Sequence, residues 1–310
     1  MTINQLRAFV VLAAAGSVRE AAERLVVTQP AVSATVAALQ AELGVPLVER
    51  QGRGLRLTAA GIVLATYGKR ILGLLDEARV ATVAGADPER GRLRLAAVTT
   101  AGEHVVPGVL ASFRQAHREV EVVLEVGNRN SVWELLRNGD VDLAFGGRPP
   151  QGGDLVSLAE ADNDLVLVSA PEIVAPRPPR LVTVAELARR TWLVREAGSG
   201  TRATADELLE ELGIEPARLT MGSNGALRES AMVGLGVALI SRVAVARQLS
   251  EGTLEEWRAG PLPLSRSWHL AARGRWQLPA TAALFVEHLL ATGEFRATAT
   301  ALAVAVSADR

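Results

Sequence analysis

The chain has 310 residues, of which 49 % are hydrophobic and 22 % charged, with a formal net charge of -1. That length exceeds what one hydrophobic core usually serves and predicts two or three folding units. A net charge near zero gives no global attraction to nucleic acid, so any DNA contact needs a local basic face. The lack of cysteine excludes disulfides, thiolate metal sites and cysteine nucleophiles, and no apolar run reaches the roughly 20 residues that span a bilayer.

The first patterned stretch, Arg7 to Val18, can be read in two ways. A basic residue, an apolar run and Ala13-Ala14-Ala15 are the parts of a secretory signal peptide. The alternative is an amphipathic helix, since Leu6, Phe9, Val10, Leu12 and Ala13 recur at three- and four-residue steps and Gly16 supplies a C-terminal stop. The downstream residues favour the helix: Ser17 with Glu20 forms a capping box for a second helix over Val18–Leu25. Thr28 then caps a third helix starting at Gln29, where Pro30 is tolerated because first-turn amides have no helical partner. Val32, Val36, Leu39 and Leu43 make its inward stripe and Gly44 its end, with Gln29, Ser33, Thr35 and Gln40 facing elsewhere. Two short helices joined by a tight Val26-Val27 turn, with Ala21 and Ala22 allowing close crossing, fit a helix-turn-helix, and equally a generic three-helix packing unit.

The segment Val45 to Thr58 reads as a two-stranded wing with a Gly-rich tip. Arg50, Arg53 and Arg56 on it would face flanking phosphates or a narrow minor groove. Over residues 1–58 the arginines at 7, 19, 24, 50, 53 and 56 outnumber the glutamates at 20, 23, 42 and 49, so the local balance is basic.

These residues resemble the winged helix-turn-helix of LysR-type transcriptional regulators. The likeness is carried by Gln5-Leu6-Arg7-Ala8-Phe9, Ala21-Ala22, Leu25, Thr28-Gln29-Pro30-Ala31-Val32-Ser33, Leu39, Leu43-Gly44, Leu47, Arg50, Arg53, Leu57-Thr58 and Ala60-Gly61. Gln40 and Val48 depart from the family, which mostly has glutamate and phenylalanine there; both read as packing changes. The resemblance implies a cytoplasmic regulator that is not an enzyme. Thr28, Gln29, Pro30, Ser33, Arg50 and Arg53 would contact double-stranded operator DNA, and the partners would include a small-molecule effector and, for an activator, RNA polymerase. From Ala59 to about Ala86 one long helical pattern sets Leu64, Tyr67, Ile71, Leu74, Leu75 and Ala78 near heptad spacing. It can pack on its own domain or, as the resemblance implies, pair with a second subunit through Leu64, Tyr67, Ile71 and Leu75, giving a homodimer or homotetramer.

Asp87-Pro88-Glu89-Arg90-Gly91 breaks that helix. Strand and helix patterns then alternate: Leu93–Val98, a helix near Val105–His117, Glu121–Val126, a helix near Ser131–Arg137 and Val141–Phe145. A second set runs through Leu165–Val168, Trp192–Val194, a helix after Thr201, Val237–Ile240 and a helix near Val243–Leu249. Trp268–Ala271 and a helix near Ala280–Leu290 return to the first. This alternation predicts a parallel α/β sheet in each of two lobes. The expected fold class is therefore α/β: a winged helix-turn-helix (residues 1–58), a linker helix (59–87), and a two-lobed effector-binding domain (92–295) like that of periplasmic binding proteins. Lobe I covers about 92–163 and 267–295, lobe II about 164–266, and 296–310 form a tail.

Ligand chemistry belongs at strand ends and helix starts between the lobes. Thr99 and Thr100 in one lobe, and Ser199, Gly200 and Thr201 in the other, offer hydroxyls and free amides suited to a carboxylate or phosphate, with Arg195 and Arg202 nearby. Asn128, Gly146 and Asn224 are further candidates and equally plain turn residues. Two other function classes are weighed. A hydrolase reading of Gly198-Ser199-Gly200 lacks the nucleophile-elbow pattern, and a secreted solute-binding protein requires the signal peptide disfavoured above. No Walker motif, dinucleotide fingerprint or metal-ligand spacing occurs, and His104, His117, His269 and His288 lie far apart in sequence, so no cofactor or metal is expected.

Overall fold

The computed structural model describes residues 1–51, 54–84, 88–152, 154–172, 174–175, 178–274 and 278–299, except the side chains of 50–51, 76–77, 79–81 and 83–84. The chain divides into two compact units, Met1–Val83 with Asn138–Asp140 and the remainder.

In the first unit α1 (Ile3–Ala15), α2 (Val18–Leu25) and α3 (Gln29–Leu43) precede β1 (Val48–Gln51), β2 (Gly54–Leu57) and α4 (Ala59–Ala84). Gly16 and Gly44 end α1 and α3 in left-handed conformation, as a residue without Cβ allows. Only half of the expected capping box at Ser17 forms. Its hydroxyl accepts from the Glu20 amide at 3.3 Å, but the Glu20 carboxylate turns to Arg24 at 2.5 Å. Phe9, Leu12, Ala21, Ala22, Val32, Val36 and Leu39 make one core. The inward stripe of α3 stops at Leu39; Leu43 is exposed because the last turn of α3 passes the edge of that core. Gln40 does more than repack: its Oε1 accepts from the amides of Leu47 at 2.8 Å and Val48 at 3.2 Å, tying α3 to the wing. Strands β1 and β2 pair antiparallel, as expected of a wing. At Gly61 an added Cβ would lie 2.0 Å from the Leu47 carbonyl oxygen, so only glycine lets α4 leave the wing this closely.

After a 3₁₀ turn at Pro88–Arg90, the second unit holds β3 (Arg92–Val98), α5 (Thr99–His104), α6 (Val106–Ala116), β4 (Glu121–Gly127), α7 (Arg129–Asn138), β5 (Leu143–Gly146) and β6 (Leu155–Asp162). Then come β7 (Leu165–Ser169), β8 (Arg180–Leu181), α8 (Val184–Ala188), β9 (Trp192–Arg195), α9 (Gly200–Glu211), β10 (Arg218–Met221), α10 (Asn224–Met232), β11 (Val237–Ser241), α11 (Arg242–Glu251) and β12 (Glu255–Arg258). β13 (Ser267–Arg273), α12 (Ala280–Ala291) and β14 (Arg296–Ala297) complete it.

Two six-stranded sheets result, β14-β6-β13-β5-β3-β4 and β10-β9-β11-β7-β12-β8, one per lobe. Neither is the purely parallel sheet expected from the sequence. β3, β4 and β5 run parallel, as do β9, β10 and β11, but β13 lies antiparallel to β5 and β6, and β7 antiparallel to β11 and β12. The chain passes from β6 of one sheet to β7 of the other through Asn163-Asp164 alone. The crossing segments also pair: Leu165 and Leu264 exchange two backbone hydrogen bonds of 2.9 Å, and the Asn163 amide donates to Arg266 at 2.8 Å. Arg296 and Ala297, expected to open a tail, pair instead with Glu160 and Ala159 of β6; residues 300–310 of that tail lie outside the described residues.

Candidate functional sites

In the first unit the polar residues of α3 stand clear of the core. The Thr28 hydroxyl accepts from the Ala31 amide at 3.4 Å, which orients the first turn. Thr28, Gln29, Pro30 and Ser33 are all exposed, opposite buried Val32, Val36 and Leu39. The left-handed Val26 (φ 55°) makes the turn before them. On the wing, Arg56 is held by Glu49 at 2.5 Å; Arg53 and the Arg50 side chain lie outside the described residues. Leu64, Tyr67 and Ile71 of α4 line an apolar groove with Leu43 and Val45, while half-buried Leu75 does not.

The second unit carries a cavity of about 580 Å³ lined by both lobes. From the lobe II side, α9 starts at its wall. Ser199 caps the helix, accepting from the Arg202 amide at 3.4 Å. Among the described residues the amides of Gly200 and Thr201 make no backbone hydrogen bond, as is usual in a first turn, and the Thr201 hydroxyl, half-buried at the wall, has no protein partner. Arg195, though buried, also lines the cavity; it is held by Glu196 at 2.7 and 2.9 Å and donates to the Asn224 Oδ1. Burial alone would raise the Glu196 carboxyl, but the hydrogen bond and charge of Arg195 and a backbone amide hold it below the usual carboxylate range. Arg202 pairs with Asp206 at 2.8 Å and does not line the cavity. The unspent cations come from lobe I: Arg148 makes no ion pair among the described residues, and Arg129 donates to the Arg148 carbonyl at 3.1 Å.

Of the effector residues expected from sequence, Thr99, Thr100, Asn128, Ser199, Gly200 and Thr201 meet at this one cavity. Three besides the α9 cap Ser199 have structural duties as well. The Thr99 hydroxyl donates to the Gly127 carbonyl at 3.3 Å, Asn128 caps α7 by accepting from the Ser131 amide at 3.0 Å, and Thr100 accepts from Asn224 Nδ2 at 2.6 Å. Two expected residues do not line the wall. Asn224 is fully buried behind it, bridging Arg195 to Thr100. Gly146 packs against the Trp133 ring, where an added Cβ would come within 2.7 Å, so its small size serves the core. The sequence reading missed Arg129, Arg148, Asn163, Ser241, Arg266, Trp268 and His269, all on the wall. Arg148 had a legible signal, two residues past the end of a parallel strand; Asn163, Arg266 and Trp268 flank the crossings, which only the assembled lobes locate.

A winged helix-turn-helix with an exposed polar third helix, joined in one chain to a two-lobed α/β unit with a ligand-sized cleft, defines a ligand-responsive DNA-binding transcriptional regulator. The chain belongs to the LysR family. Residues 3–62 match the bacterial regulatory helix-turn-helix protein, lysR family, and residues 86–294 the LysR substrate binding domain. It is 37 % identical to the HTH-type transcriptional regulator CbbR of Xanthobacter flavus over 91 % of this chain and 86 % of that protein. The regulatory domain of CcmR from Synechocystis PCC6803, solved in complex with 2-PG, is 28 % identical with a TM-score of 0.60, over 65 % of this chain and 96 % of that one. Full-length CbnR, solved with its target DNA, is 26 % identical with a TM-score of 0.65, over 94 % of this chain and all (100 %) of that one.

Proposed function

We propose that this regulator acts in the cytoplasm, as a homo-oligomer and without catalysing a reaction, and that its operator binding is tuned by a small dianion held in the inter-lobe cleft. The observation that carries the reading is the pairing, across one cavity, of unspent α9 amides and the free Thr201 hydroxyl with the guanidinium groups of Arg129 and Arg148. Amides at a helix start and bidentate arginines are suited to phosphate and carboxylate oxygens. The relation to CcmR makes 2-PG the first ligand to try. Ser199, the one residue of nucleophile type in a Gly-Ser-Gly setting, spends its oxygen as a helix cap, which favours binding over catalysis. On DNA, Gln29 and Ser33 would read base edges in the major groove, with Thr28 and Pro30 setting the helix start and Arg50 and Arg53 on phosphates; an activating form would also meet RNA polymerase.

Thermal unfolding of the full chain with 2-PG, sulfate and an uncharged sugar tests the cleft. A ligand that binds only the folded state stabilises it by about 2.7 kcal/mol at a hundred times its Kd, so a dianion should raise Tm in proportion to the logarithm of its concentration. Equal shifts from the neutral sugar would sink the anion reading. For assembly, the groove of Leu64, Tyr67 and Ile71 is the surface proposed to pair with a second copy. Ile71→Asp would bury an unpaired carboxylate there, and light scattering should then report monomer.

A further inference from the structure

His269 sits in β13 opposite Glu160 of β6 on one side and Gly146 of β5 on the other. It lines the cleft and yet is only 5 % exposed. Its Nδ1 is 2.9 Å from the Ser157 hydroxyl, and that hydroxyl is 3.4 Å from the Ala159 carbonyl, to which it donates. A serine has one proton to give; with that proton on the Ala159 carbonyl, we assign the ring N–H to Nδ1, donating to Ser157, so that the neutral imidazole carries its lone pair on Nε2. Nε2 makes no hydrogen bond to the protein among the described residues. A bare lone pair repels an anion, whereas the same nitrogen protonated is a charge-assisted donor to one.

The charged surroundings are set by three elements. Burial pushes the imidazole below its ordinary pKa, Glu160 from β6 opposes that, and Arg148 from the segment after β5 adds to it. Arg296 of β14, opposite Glu160, is engaged by Asp162 at 2.7 Å, and α7 contributes the apolar Trp133 ring against Gly146. We infer that His269 takes up a proton when the cleft takes up an anion, so that effector binding is coupled to about one proton and Nε2 becomes a donor to the ligand. The inference rests on the reading of the cleft as an anion site. An anion drawn to Arg148 offsets the charge that disfavours imidazolium and adds its own attraction. The pKa is then higher in the bound state than in the free one, so affinity is greatest on the acid side. It falls as pH rises through the interval between the two values, by up to about tenfold per unit.

The test is calorimetric titration of the full chain with sulfate, which has no proton to gain near neutrality, in buffers of contrasting ionisation heat between about pH 6 and 8. The wild type should show a buffer-dependent enthalpy equivalent to about one absorbed proton and an affinity that declines with pH. His269→Gln, with His269→Asn as a second variant, should bind with neither dependence while keeping the wild-type circular dichroism. Sulfate binding to the wild type without buffer dependence, or proton uptake that survives in both variants, overturns the coupling and leaves the anion reading standing. If neither sulfate nor 2-PG binds the wild type at all, the anion reading itself falls and the coupling with it.

Discussion

Helices α3 and α9 begin alike. Each opens on a hydroxyl cap, Thr28 or Ser199, accepting the amide of the third residue at 3.4 Å, and each presents polar residues in its first turn. They differ in what surrounds them. The start of α3 stands out from its unit, with Thr28, Gln29, Pro30 and Ser33 all exposed, while the start of α9 forms part of the wall of a concave cavity of about 580 Å³. A convex polar helix start suits a groove as large as that of duplex DNA; a concave one suits a ligand of a few atoms, whose charge it can surround. On the proposed function, recognition chemistry is shared and curvature selects the partner.

The sharpest way to break that comparison is at Thr201. Its hydroxyl is the donor of the α9 turn with no competing protein partner among the described residues, so Thr201→Val should lower affinity for a cleft dianion by about 1.5–3 kcal/mol, roughly ten- to a hundredfold. Operator affinity without ligand should stay unchanged; unaltered ligand titration would remove Thr201 from the site. Gln29→Ala is the counterpart on the convex start. It should cost about 1–3 kcal/mol on the cognate operator while sparing random duplex and the cleft ligand, as fluorescence anisotropy on both DNAs would reveal. Across the cleft, Thr100→Val should behave differently from Thr201→Val. Because it leaves the fully buried Asn224 without its 2.6 Å acceptor, it should destabilise the second unit by about 1–3 kcal/mol in urea unfolding. Ligand affinity lost with no change in stability would contradict the clasp. The smallest effects test the shared part: Thr28→Ala and Ser199→Ala should each cost about 1 kcal/mol in the stability of their own unit, and a large disparity would mean the two caps are not equivalent.

How far each site could be read in advance follows from the range of the interactions that build it. The N-terminal unit rests on signals a few residues apart: Ser17 and Thr28 cap within one turn, Gly16 and Gly44 take the left-handed conformation, and Val32, Val36 and Leu39 repeat at helical spacing. Leu43 departed from its own pattern because the end of a core is a tertiary boundary. In the second unit the strands before helices, β3, β4, β9 and β11, were legible as apolar runs. β6 was not, since Leu155–Asp162 mixes polar and apolar residues, and neither was the antiparallel direction of β13, which depends on where the chain re-enters its sheet.

The sequence by itself determined the helix starts and stops, the wing, the alternation of strand and helix, and the hydroxyl and amide chemistry at Thr99-Thr100 and Ser199-Gly200-Thr201, because each depends on neighbours within a few residues. The tertiary structure decided which of those groups remain free. It turned Asn224 inward to join Arg195 and Thr100, spent Gly146 on Trp133 and Arg202 on Asp206, and brought Arg148 and His269, 121 positions apart, to one cavity wall. Hydrogen bonds and charges act over a few ångströms, and the chain sets those distances only after the two sheets have been assembled from strands far apart in the sequence.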